Sequence, residues 1–66
     1  MWSDELQEQT REFLKAYPMA AMKKIGGVYG ICVLEKGTYV IKDRKTAQKY
    51  SYISVDDLIY DKWVID

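Results

Sequence analysis

The chain contains no histidine, one cysteine, one proline and no net charge. Each shortage removes a class of function. Without histidine the commonest acid–base group is missing, and neither a Ser–His nor a Cys–His nucleophilic pair can form. A zinc site would rest on one thiolate plus carboxylates, a poor tetrahedral set, and no acidic spacing matches a calcium loop. A lone cysteine excludes an intrachain disulfide. No apolar run approaches the ~18–20 residues of a membrane-spanning helix. The acidic, polar first residues lack the basic and apolar regions of a signal peptide, and a lone thiol without an export signal points to the cytoplasm. The expectation is a protein that is not an enzyme, takes no metal or cofactor, and does not engage a membrane.

What is present is apolar and aromatic. Hydrophobic residues make up 48% of the 66, with six Tyr, two Trp and one Phe, which is the composition of a folded domain and not of a disordered tail. Residues 1–66 are read as a single domain. A chain this short buries only about 60% of its unfolded surface, so a dense aromatic core or a partner chain has to help. Charge is unevenly placed. Both ends are acidic, while residues 37–53 carry Lys42, Arg44, Lys45 and Lys49 against Asp43 alone.

The order of elements follows from periodicity and turn chemistry. Ser3 suits an N-cap, with Asp4 and Glu5 in the favoured first turn. Leu6, Thr10, Phe13, Leu14 and Tyr17 then recur as one buried stripe, predicting a helix over 4–17. Phe13 sits centrally in that stripe, and its truncation is expected to cost about 3–5 kcal/mol. Pro18 ends the helix and can open a second short helical segment through MAAMKK, which Gly26 and Gly27 stop. From Val28 the spacing switches to strands. Lys36-Gly37 reads as a two-residue hairpin turn, which pairs Leu34 with Tyr39, Cys32 with Ile41 and Ile31 with Lys42. A polar turn at 44–47 then pairs Ile41 with Tyr50 and Lys42 with Lys49. Ser54-Val55-Asp56-Asp57 is a capping-box variant that opens a helix over 55 to about 63. The apolar Val64-Ile65 should pack. The expected fold is α+β: an N-terminal helix, a three-stranded antiparallel meander and a short C-terminal helix.

Alternation within the meander sorts side chains onto two faces. One holds Cys32, Leu34, Tyr39, Ile41, Tyr50 and Tyr52 and is the natural seat for helices. The other holds Tyr29, Ile31, Val33, Val40, Lys42, Lys49 and Ser51, half apolar and half basic. Asp56 and Asp57 are adjacent on a helix and do not face each other, so capping accounts for them better than catalysis. Cys32 lies in an apolar strand and reads as an inert, buried thiol. Gly30 marks a bulge or a close approach by a helix. The sequence therefore points to a small non-enzymatic interaction module, an inhibitor, adaptor or small subunit. Its candidate protein-binding residues are Tyr29, Ile31, Val33, Val40, Lys42 and Lys49, and its partner is another protein or a second copy in a homodimer. Size and composition suit a phage or mobile-element protein. The second choice is nucleic-acid binding through Lys42, Arg44, Lys45 and Lys49, with Tyr39, Tyr50 and Tyr52 as a stacking platform.

Overall fold

Ser3 caps the first helix as its position predicts. Its Oγ accepts the Leu6 amide at 3.2 Å. The computed structural model, which describes residues 1–66, carries helix α1 from Asp4 to Ala16. Five strands and one further helix follow: β1 (Met19–Lys24), β2 (Val28–Glu35), β3 (Thr38–Asp43), β4 (Lys49–Tyr52), α2 (Val55–Tyr60) and β5 (Trp63–Ile65). They form one antiparallel sheet in the order β4-β3-β2-β1-β5. The α+β class and the pairing of β2, β3 and β4 are as expected, residue for residue. The sheet, however, has five strands and not three.

Two expectations are corrected. MAAMKK is not a helical turn but strand β1, paired with β2 so that Ala20 opposes Cys32 and Met22 opposes Gly30. Ala, Met and Lys favour helices intrinsically, but six residues after a proline nucleate one poorly. Pairing with β2 instead buries Ala20 and Met22, which alternate with exposed Met19 and Ala21. Gly26 and Gly27 accordingly close a hairpin, both at positive φ. The second correction is the C-terminal helix, which ends at Tyr60. Lys62 adopts φ 74° and turns the chain, so that Trp63 joins β5 beside β1 instead of extending a helical stripe.

Both helices lie on the same side of the sheet. Leu14 of α1 and Leu58 and Ile59 of α2 share one core with Ala20, Met22, Cys32, Ile41 and Trp63. Tyr39, Tyr50 and Tyr52 pack half-buried around that core. Gly30 is also on this face, where a Cβ would meet Ile41 Cγ2 and the Lys42 carbonyl oxygen, each at 2.8 Å. The close approach is therefore by the neighbouring strand, not by a helix. Phe13 departs from expectation. It is 38% exposed, because the seam of α1 runs through Thr10 and Leu14 and leaves Phe13 at its margin. A ring this exposed forms no cavity on truncation, so the cost expected of a buried phenyl does not apply. No helix is long and apolar enough to cross a membrane.

Candidate interaction surface

With both helices on one side, the other face of the sheet carries no helix. It is open over β2, β3 and β4, while at its β5 border Val64, opposite Lys23, is fully buried and Lys23 lies over the Trp2 ring. Register places Ile31 beside Lys42, Val33 beside Val40, and Lys42 beside Lys49 on this face. Ile31, Val33 and Val40 are only half-buried. With Glu35, Lys42 and Lys49 they line a shallow hollow of about 200 Å³. Five of the six residues expected to bind protein thus meet at one place. Tyr29, 48% exposed, lies at the start of β2 and lines a separate hollow with Gly27, Arg44 and Lys45.

Sequence reading missed the part of the surface that β1 supplies. Met19 pairs with Val33, Ala21 with Ile31, and Lys23 with Tyr29, so the open face continues across a further strand. The sequence carried no signal for it: Met19, Ala20, Ala21 and Met22 are all apolar, and only their burial alternates. It also missed a second exposed apolar area on the flank of α1. There Phe13, Ala16, Tyr17 and Ile65 line a groove of about 620 Å³ rimmed by Glu5, Glu8 and Glu12. The Phe13 and Tyr17 rings stand 4.7 Å apart.

Several other polar groups are occupied in holding the fold. Tyr52 donates its hydroxyl to Asp61 Oδ2 at 2.6 Å and accepts from Trp63 Nε1 at 3.0 Å. Burial, and then the bond to Asp61, raises the Tyr52 pKa above that of an ordinary tyrosine. The same hydroxyl, with Lys24 Nζ at 3.4 Å, lowers the Asp61 pKa. Asp43 is held below the usual carboxylate range by the Lys45 and Thr46 amides that its Oδ1 accepts. Cys32 is fully buried, and burial pushes its thiol up to about 11, so it is not thiolate at neutral pH. The Asp57 amide donates to Ser54 Oγ at 3.2 Å while Asp56 accepts from Arg11 Nε at 2.9 Å. The Asp56 carboxylate therefore serves a helix–helix contact, whereas Asp57 gives the cap its backbone amide and its carboxylate does not return the bond a capping box would make. Tyr39, Tyr50 and Tyr52 lie on the helix-covered face, opposite Lys42 and Lys49, so rings and cations do not form one platform. No protein-family model, curated protein or solved structure matches this chain.

Proposed function

We propose that this protein is a non-enzymatic interaction module that binds a protein partner through the open face of its sheet. The observation that carries the reading is the placement of both helices on one side, which leaves Ile31, Val33 and Val40 half-exposed beside Lys42 and Lys49. A contiguous apolar patch with a charged rim is what partner sites look like. The side chains of this face offer contact area and positive charge, and no acid–base pair. Val33→Lys tests it. Val33 is half-exposed, so a lysine there can reach water by extending its stem along the sheet. Circular dichroism should show an unchanged fold, and affinity capture from the native host should lose the species that wild type recovers. Recovery of the same species by both proteins rejects this surface.

A second reading, nucleic-acid binding, draws on the hollow of about 550 Å³ that brings Tyr29 together with Arg44 and Lys45. One ring and two cations are few for such a site, and the chain as a whole is neutral, which is why it ranks second. Titration with single-stranded DNA across salt concentrations separates the two readings, because phosphate contacts release counterions and weaken steeply with salt.

A further inference from the structure

Two apolar surfaces of this chain lie open, and their charges are opposite. The sheet face carries Lys42 and Lys49 against one carboxylate, Glu35, while Lys23 at its border lies over the Trp2 ring. The flank of α1 carries Glu5, Glu8 and Glu12 around Phe13 and Tyr17. Of these rim charges only Glu8 has an ion-pair partner, Arg11 at 3.3 Å, and neither Lys42 nor Lys49 has one. Helix geometry explains why the flank is free. Thr10 and Leu14 form the buried seam and Arg11 turns toward Asp56 of α2. At 100° per residue, Gln9, Phe13 and Ala16 then fall on the side away from α2, where only Ile65 of the last strand borders them.

We propose that these two surfaces bind each other between copies of this chain, the α1 flank of one molecule seating on the open sheet face of the next. The inference rests on the sheet face being a binding surface and names its occupant. Complementary charge favours this pairing, whereas sheet face against sheet face sets Lys42 and Lys49 near their own copies, and flank against flank does the same to the glutamates. A second copy is also the stabilising aid open to a domain with 12 of 66 residues buried and a single, free cysteine. The two surfaces belong to opposite layers of the molecule, so a two-fold pair cannot satisfy both. Association is head to tail and leaves a free surface at each end.

Sedimentation of the whole chain tests this. In wild type the average mass should rise steadily with concentration, pass two chains without a plateau, and fall when salt is raised from ~0.05 to ~0.5 M. K42E/K49E, which reverses the charge of the sheet face, and F13S/Y17S, which removes the apolar contact of the groove and leaves its charge acidic, should each be monomeric alone. Mixed in equal amounts they should form a 1:1 dimer and stop, because one intact flank and one intact face remain. A dimer plateau in wild type, or self-association of either blocked variant alone, overturns the head-to-tail pairing. So does a mixture of two folded variants that stays monomeric. Wild type that remains monomeric at ~1 mM and low salt overturns self-association but leaves the sheet-face reading to the Val33→Lys test. Should a variant fail to fold, NMR of wild type decides. Concentration-dependent shifts must occur at both Val33 and Phe13, and shifts at one alone reject the pairing.

Discussion

Thr10 is a polar residue with no exposed surface, and it is satisfied in two directions. Its Oγ1 donates to the Leu6 carbonyl at 2.8 Å and accepts the Ile65 amide at 3.1 Å. The second bond closes a backbone donor on the outer side of β5, where no sixth strand exists to take it. Thr10→Val keeps the shape and removes the acceptor. It should cost about 1–3 kcal/mol in urea unfolding, the penalty of a buried unpaired amide; a loss below ~0.5 kcal/mol would show that water reaches Ile65 instead. Gly30 makes the complementary case, in which an atom is too many. A methyl there meets the Lys42 carbonyl oxygen at 2.8 Å, and a backbone atom cannot swing away. Gly30→Ala should destabilise by about 1–3 kcal/mol through overpacking. A neutral result would mean that β2 and β3 can separate locally. Phe13 and Thr10 together show how far a helical stripe can be read. Periodicity gives the sector that is apolar, but the packing partner selects which part of it is covered.

At the scale of elements, legibility tracked local chemistry. Lys36 and Gly37 have φ of 50° and 79°, both positive, as a two-residue hairpin turn of the favoured twist requires. That turn set the register of β2 with β3, and the polar turn at 44–47 set that of β3 with β4. The two strands that were missed lack such marks. β1 is written in good helix formers and owes its state to its neighbour β2. β5 has three residues, too few for a period, and the reversal before it falls on Lys62 where a glycine would have announced it. The network that fastens this reversal is titratable. Asp61 has a lowered pKa in the fold, so the unfolded chain binds more protons through the acid range and stability rises with pH there. The stabilisation is complete above the ordinary aspartate value and is lost as pH falls through the depressed one. The stability gap between wild type and Asp61→Asn should therefore be widest near neutrality and close below about pH 4. Urea midpoints measured across pH check this, and a constant gap would mean that Asp61 is not perturbed by folding.

At the scale of the molecule, one fact decides what is available for function: two helices and five strands make two layers, not three. The candidate face was legible from alternation alone, because Val33, Val40 and Lys42 must point away from Cys32 and Ile41. That the chain leaves this face open was not legible. It depends on α2 crossing the same side as α1, which no short-range pattern encodes. The connection from β4 through α2 to β5 carries the chain from one border of the sheet to the other. Its consequence lies in the order of assembly. β1 to β4 are joined by tight turns and can zip together through contacts close in sequence, whereas β5 meets β1 across most of the chain and must wait for α2 to dock. The last strand to arrive is then the first to leave. In hydrogen–deuterium exchange the amides of Val64, Ile65 and Asp66 should open at lower free energy than those of Cys32 and Ile41. Equal protection would place all five strands in one cooperative unit. Unequal protection would make β1, stripped of its outer neighbour, the edge at which a partly open molecule becomes adhesive.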